Sequence, residues 1–174
     1  KKKKKPAEKI NLSAAELERN FDTSVSVARG NVVATGSSAV MYAKAAEFHE
    51  TRDVILSKSD PRIFSGSDLF LADYIQWDTV HNSAEFEGHV KAYFSRADDM
   101  DDSSRTRSAK TRGKAVDSAV RADSGTLVQH ENLPFGQKLT LRKKVVLDRK
   151  AFSAYSDSAE VFGPGGELVK AYDH

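Results

Sequence analysis

Residue types that could carry chemistry are spread along the chain, but their spacing defines no catalytic or metal site. No two histidines stand as His-x-x-x-His and none follows as Glu-x-x-His, the helical spacings that put two metal ligands on one face. The sequence also has no Gly-x-Ser-x-Gly elbow and no cysteine. We therefore expect a protein that is not an enzyme and needs no metal or cofactor. The histidines are His49, His81, His89, His130 and His174.

Two further groups of residues could bind phosphate. The run Gly163-Pro164-Gly165-Gly166 lacks the Lys-Ser/Thr of a phosphate-binding loop, so it predicts a hairpin turn. Basic residues gather in residues 1–5 and again in residues 105–114, without an aromatic side chain to stack on a base. We interpret both segments as solvated charge. Nucleic-acid binding stays an alternative, and it predicts an affinity that falls steeply with salt. The second group is Arg105, Arg107, Lys110, Arg112 and Lys114.

Composition indicates a water-soluble globular domain. The chain has 174 residues, of which 39% are hydrophobic, and 27 Lys and Arg nearly balance 25 Asp and Glu. This length suits one domain with tails. No apolar run approaches the roughly 18 residues of a spanning helix, and no apolar stretch of a secretory signal is seen at the N-terminus. Either such a signal was removed or the protein is cytosolic.

The pattern along the chain predicts β-structure. Residues 1–20 are expected to be a flexible charged tail, with a helical turn at 12–17 behind the capping box Ser13-x-x-Glu16. From residue 23 the apolar residues alternate with polar ones, as in half-buried strands. We therefore predict one all-β domain over residues 21–174, barrel-like or sandwich-like, with an exposed acidic and basic loop at 95–115. Further strands are predicted at 53–57, 69–78, 83–94, 119–128, 138–147 and 152–162.

One segment type recurs four times. Each copy has an apolar residue, a spacer and a small residue, followed after two residues by an apolar-x-apolar pair; the small residues are Ala43, Ala72, Ala122 and Ser156. The alternation slips by one after the small residue, which predicts a bulge or bend in each strand. Gly30-Asn31-Val32 and Gly88-His89-Val90 supply glycines that would permit a corner.

These motifs resemble the OstA-like domain of the lipopolysaccharide-transport bridge proteins. That family combines a Gly-Asn-Val strand start with a Leu-x-Ala-Asp segment, which here match Gly30-Asn31-Val32 and Leu71-Ala72-Asp73, and the best stretch spans residues 30–94. The third copy departs from the pattern, with Lys143-Lys144-Val145 in place of Gly-Asn-Val.

The resemblance implies a twisted β-jelly-roll built from repeated hairpins. It also implies a periplasmic, non-catalytic protein that carries lipopolysaccharide between the inner and outer membranes, with the acyl chains of lipid A inside the roll. Its partners would be lipopolysaccharide and other OstA-like jelly-rolls, joined by edge-strand pairing, or a second copy stacked head to tail. The candidate edges are residues 23–35 and 167–172. The alternative is a structural β-repeat scaffold or assembly module without a lipid ligand.

The alternation places a set of apolar residues on the inner face, and alanines among them could leave room for lipid. The same small residues could instead simply fit a narrow roll. The predicted lipid-binding interior is Val32, Ala34, Met41, Ala43, Ala46, Phe48, Leu56, Phe70, Ala72, Ile75, Trp77, Phe86, Val90, Ala92, Phe94, Ala122, Leu127, Leu139 and Leu141; Val54, Ala84, Val120, Val145 and Leu147 are also expected to point inward.

Overall fold

The computed structural model describes residues 10–94, 118–130, 132–149 and 152–173. These residues form one sheet of thirteen strands, which confirms the predicted all-β, jelly-roll-like fold. Of the tail predicted over residues 1–20, residues 1–9 lie outside the described residues, as does the predicted loop at 95–115. The strands are β1 (Asn11–Ser13), β2 (Glu16–Asn20), β3 (Val25–Thr35), β4 (Ala39–His49), β5 (Val54–Ser59), β6 (Arg62–Ser65), β7 (Asp68–Leu71), β8 (Tyr74–Asp78), β9 (Ser83–Phe94), β10 (Ser118–Gln129), β11 (Gln137–Arg149), β12 (Phe152–Phe162) and β13 (Leu168–Tyr172).

The sheet is an antiparallel meander in which neighbours along the chain are neighbours in space. β5 and β6 are two halves of one long strand, since both pair with β4, and they separate at Asp60 and Pro61. β7 and β8 likewise both pair with β9. The path ends at β13, which confirms the predicted edge at 167–172.

At the other edge, the prediction of a tail was wrong for residues 11–13 and 16–20, which form β1 and β2, and two further predictions were wrong. Residues 12–17 are not helical: β1 and β2 pair with β3, with Leu12 opposite Ala34 and Leu17 opposite Ala28. The segment has too few residues of helical period to stabilise a turn against the backbone hydrogen bonds that β3 offers. Consequently residues 23–35 are not the edge, because β1 and β2 cover that side of β3.

Three strands, β3, β9 and β11, turn a corner. The slip in the alternation predicted bulges in the strands that carry the small residues, but in each case the extra residue lies in the neighbouring strand. In each, two successive residues have positive φ: Gly30-Asn31 in β3, Gly88-His89 in β9 and Lys143-Lys144 in β11. Each pair faces one residue of the adjacent strand, so the register shifts there. β11 keeps the corner although lysine has replaced glycine. The single residues opposite are Lys44, Asp123 and Asp157.

The apolar core lies inside the roll that this bent sheet forms. Phe70 stacks on Phe86 with ring centroids 5.7 Å apart and meets Phe94 edge-on at 6.1 Å. Trp77 and Ile75 are also fully buried beside them. Each such side chain contributes roughly 1.5–3 kcal/mol relative to an exposed position. This aromatic cluster therefore holds the middle of the roll together.

Candidate functional site

Most residues of the predicted interior are buried in one core cluster. This holds for Val32, Ala34, Met41, Ala43, Ala46, Phe70, Ile75, Trp77, Phe86, Val90, Ala92, Phe94, Ala122, Leu127, Leu139 and Leu141. Phe48 and Ala72 are half-buried and pack against that cluster. The alternation thus identified the inner face of the sheet.

Leu56 is the exception, and its predicted inward position was wrong, as was that of Val54, which lies on the same face of β5 and outside the core cluster. Leu56 lies opposite Glu47 on one side and Gln76 on the other, on the outer face. Ile55 takes the inner position instead, between Phe48 and Trp77. The prediction failed because Val54, Ile55 and Leu56 are all apolar. A run without polar residues does not show which of its members point to the inner face.

A cavity of about 440 Å³ opens where the core gives way to small side chains near the C-terminal edge. We name it the C-terminal cavity. It lies among the ends of β9, β10, β11 and β12 and against β13. Its wall is mainly apolar and includes Phe94, Val120, Leu147, Ala154, Val161 and Val169. The volume falls within the roughly 300–1,000 Å³ typical of small-ligand sites.

Only Phe94 of the predicted lipid-binding residues lines this cavity. Leu147 and Val120, which were expected to point inward, line it too. Sequence reasoning missed the contributions of Ala154, Val161 and β13. The signal was present for two of them, since Ala154 and Val161 belong to the fourth copy of the repeat. Their role as a cavity wall was not visible, because it depends on how β13 closes over them.

The cavity exists because its walls are built of small residues at inner positions. Ala154 faces Leu147 across β11 and β12, and Ala159 faces Ala171 across β12 and β13. The glycine turn at 163–166 then brings β13 back along β12. Gly166 lies in the wall, and a Cβ there would come 3.3 Å from the Phe94 ring. Larger side chains at these positions would fill the space.

The polar part of the cavity wall is acidic and ordered. Asp148 accepts a hydrogen bond from the Ser153 hydroxyl at 2.8 Å and another from the Arg121 guanidinium. The Ser153 hydroxyl, which has the larger effect, and the Arg121 guanidinium together hold the pKa of Asp148 below its ordinary value. Glu167 and the buried Ser118 complete the polar lining. Asp148 and Glu167 are therefore the ionisable residues of the lining, and the two donors to the Asp148 carboxylate, Arg121 and Ser153, do not line the cavity.

A buried polar cluster lies on the other side of the glycine turn, and we name Ser65, Asp68, Gln129 and Gln137 the polar cluster. Asp68 is fully buried and accepts hydrogen bonds from the Gln137 amide and the Gly165 backbone N–H, both at 3.1 Å. Ser65 donates to the Gln137 side-chain carbonyl at 3.0 Å. These are inward-facing residues at strand ends, so the cluster caps the apolar interior with satisfied polar groups.

Further clefts on the surface of the sheet are lined by described residues. One, of about 380 Å³, is lined by Arg29, Glu47, Leu56, Lys58 and Tyr74 among others. The second, of about 370 Å³, lies beside Lys144 and Tyr155 near the last strand. Both have more charged residues in their lining than the C-terminal cavity, and each touches the apolar core at one residue, Ala46 in the first and Val145 in the second.

The described histidines are engaged by neighbouring side chains or backbone. His81 and His89 contact Asp78 and Asp73 at 2.8 Å and 2.7 Å. Over residues 10–94, 118–130, 132–149 and 152–173, no three His, Asp or Glu side chains are grouped so as to hold a metal ion. The basic residues at 1–5 and 105–114, with His174, lie outside the described residues.

Comparison with known proteins adds no family assignment. Within the described parts of the chain, no helix is long and apolar enough to cross a membrane. No protein-family model matches the chain, and no curated protein matches it.

Proposed function

We propose that this protein is a non-catalytic lipid carrier that holds an acyl chain in the C-terminal cavity. The observation that carries the proposal is a mainly apolar cavity of about 440 Å³ at the end of a rolled sheet. Apolar residues form most of its wall, with a few polar residues among them, as in sites that take an amphipathic ligand.

The energetics suit reversible carriage. Each methylene moved from water into an apolar site contributes about 0.8 kcal/mol, so ten contribute about 8 kcal/mol. Association costs an estimated 4–15 kcal/mol in lost freedom of motion. The net affinity of one chain is therefore modest, and a chain that binds this way also leaves. A carrier requires both properties.

We further propose that the ligand is the lipid A part of lipopolysaccharide and that the protein works in the periplasm between the two membranes. The support is the resemblance of the Gly-x-Val and Leu-x-Ala-Asp motifs, together with the rolled all-β fold that the resemblance led us to expect. Lipid A has several acyl chains. The cavity at its present volume suits one chain better than several, so this ligand requires the roll to widen.

The open edges suggest how such a carrier could meet its partners. β13 has β12 on one side only among the described strands, and Leu168 and Tyr172 are exposed on it. β1 and β2 form the opposite edge. An unpaired edge can accept a strand of another sheet. We propose pairing with another OstA-like jelly-roll, or with a second copy head to tail.

A structural scaffold without ligand is the second candidate. The observation in its favour is the packing in the middle of the roll, where Phe70, Ile75, Val90, Leu139 and Leu141 are fully buried. A carrier with a trough along its whole length would leave such side chains less enclosed. The two candidates differ in what they predict for the C-terminal cavity.

Native mass spectrometry of the protein titrated with lipopolysaccharide separates them. The test variant is Ala154→Trp, which places an indole in the cavity. The matched control is Tyr155→Trp, because Tyr155 is the next residue and is 76% exposed. Complexes with wild type and Tyr155→Trp that vanish in folded Ala154→Trp support the proposal. Absence of any complex favours the scaffold, and equal binding by all three places the ligand elsewhere.

A further inference from the structure

The polar cluster joins two parts of the chain that are far apart in sequence. Asp68 begins β7, directly after the turn at 66–67, and its carboxylate holds the backbone N–H of Gly165 with both oxygens at 3.1 Å. Gln137 contributes a second tie, because its backbone carbonyl accepts from the Gly163 N–H at 2.9 Å. Residues 163–166 are thus tied to two residues of other strands, one through a side chain and one through the backbone.

The same turn forms part of the wall of the C-terminal cavity. Gly166 packs against Phe94 and Val161, and residues 166–169 line the cavity as the chain enters β13. Asp68 and the cavity therefore contact adjacent residues of one turn. A displacement of the turn that breaks the Asp68 contact also moves this wall.

The turn at 163–166 is rich in glycine, and the contact that holds it requires a buried carboxylate, that of Asp68. Gly163, Gly165 and Gly166 all have positive φ, and glycine loses more backbone freedom on ordering than any other residue. A buried carboxylate is unfavourable unless hydrogen bonds compensate it. When the turn detaches, Asp68 loses the Gly165 donor and gains access to water. The free energies of the attached and detached states of the turn therefore differ only by a few contributions of opposite sign, as in a two-state element.

We propose that Asp68 is a latch that controls access to the C-terminal cavity, an inference that rests on the proposed function of that cavity. With the latch closed, residues 163–169 wall in one acyl chain. With it released, the turn and the start of β13 move away from Phe94, and the cavity widens to admit or release a larger lipid.

The test uses Asp68→Asn, with Ser65→Ala as the matched control. The Asp68→Asn substitution keeps the shape of the side chain but removes the negative charge and one acceptor. Ser65 belongs to the same cluster, and its hydroxyl bonds Gln137 rather than the turn. Two readouts are compared: hydrogen exchange of the amides at 163–169, and stopped-flow association and dissociation of dansyl-labelled undecanoic acid.

The latch predicts that Asp68→Asn speeds exchange at 163–169 and both probe rates by about tenfold, the usual effect of losing a charge-assisted hydrogen bond. Ser65→Ala should change each by much less. Unchanged rates in folded Asp68→Asn overturn the latch. If wild type binds no probe, the carrier proposal fails, whereas the exchange readout still reports whether Asp68 holds the turn.

A second measurement applies if Asp68→Asn does not fold. In wild type, saturating probe should change amide protection at 163–169 and leave the β3–β4 hairpin unchanged, because coupling between a ligand and a wall segment is reciprocal. Equal protection with and without bound probe contradicts the latch.

Discussion

The middle of the roll and its C-terminal end use the same sheet and the same repeat, yet they enclose different interiors. In the middle, Phe70 lies between Phe86 and Phe94, and the rings fill the space between the walls. At the C-terminal end, Ala154 stands across from Leu147, and Phe94 is the one aromatic residue among those that line the cavity. One repeated strand pattern can therefore give either a packed core or a cavity, depending on side-chain size at the inner positions.

Truncation of one leucine in each region gives the largest predicted contrast. Leu139 and Leu147 both point inward on β11, but Leu139 is fully buried and Leu147 lines the cavity. We expect Leu139→Ala to lower the free energy of unfolding by about 4–5 kcal/mol and Leu147→Ala by about 2–3 kcal/mol, since less packing is lost beside existing space. Urea denaturation measures both. Equal losses would mean that the cavity end is as tightly packed as the middle.

A large side chain inserted into each region tests the same contrast in the opposite direction, by adding volume instead of removing it. Ala92 is fully buried, and tryptophan there should cost about 1–3 kcal/mol or more through overpacking. Ala154→Trp should cost less than about 1 kcal/mol, because the indole enters the cavity. Thermal unfolding of both variants gives the comparison. If Ala154→Trp is the more damaging of the two, the cavity does not accommodate a side chain and the contrast fails.

The corners provide a smaller contrast between the two regions. A Cβ at Gly88 would overlap the Asp73 carboxylate, so Gly88→Ala should destabilise by about 1–2 kcal/mol. Lys143 adopts a φ of 63°, a backbone conformation that is strained for a residue with a Cβ and unstrained for glycine. Lys143→Gly should therefore stabilise the protein by up to about 1 kcal/mol. Chemical denaturation measures both changes. A destabilising Lys143→Gly would show that the lysine side chain contributes more than its backbone strain costs.

The acidic wall of the cavity gives the smallest expected effect. The folded-state pKa of Asp148 lies below its ordinary value of 3.8, through the Ser153 hydroxyl and the Arg121 guanidinium. The ionised form is therefore favoured by folding. Its stabilisation is present above pH 3.8 and is lost as the pH falls through the folded pKa. Asp148→Asn should be less stable than wild type at neutral pH, and the difference should shrink below pH 3.8.

Ser153→Ala supplies the matched variant for this pH dependence, because it removes the first of the two donors while keeping the carboxylate. It should reproduce part of the loss at neutral pH. A stability difference that stays constant from neutral pH to below pH 3.8 would mean that Asp148 acts through packing and not through its charge.

Sequence reasoning recovered the sheet because period-two alternation reports burial directly. It also located two of the three corners through the Gly-x-Val motifs, but not the corner at Lys143-Lys144, where no glycine marks the position. It failed at Leu56, where a continuous apolar run has no phase, and at residues 12–17, where pairing with β3 overrode a local capping signal. Such tertiary pairing is not encoded in the segment itself.

The candidate site was harder to predict than the fold. The inner positions around Ala154 and Val161 look like those around Ala92 and Val90 in sequence, yet one set lines a cavity and the other a packed core. The difference depends on the aromatic residues that reach across the roll and on the path of β13 after residues 163–166. The contact between Asp68 and Gly165 spans strands with no sequence relation, so no local pattern could reveal it.

The most direct test of the central claim is photo-cross-linking with a fatty acid that carries a diazirine at the end of its chain, followed by peptide mass spectrometry. Occupation of the C-terminal cavity predicts labels on Val120, Ala154, Val161 or Val169, and their loss in folded Ala154→Trp. Labels confined to the outer face, such as Tyr155 or the cleft beside Arg29, or labels that persist in Ala154→Trp, would contradict the account.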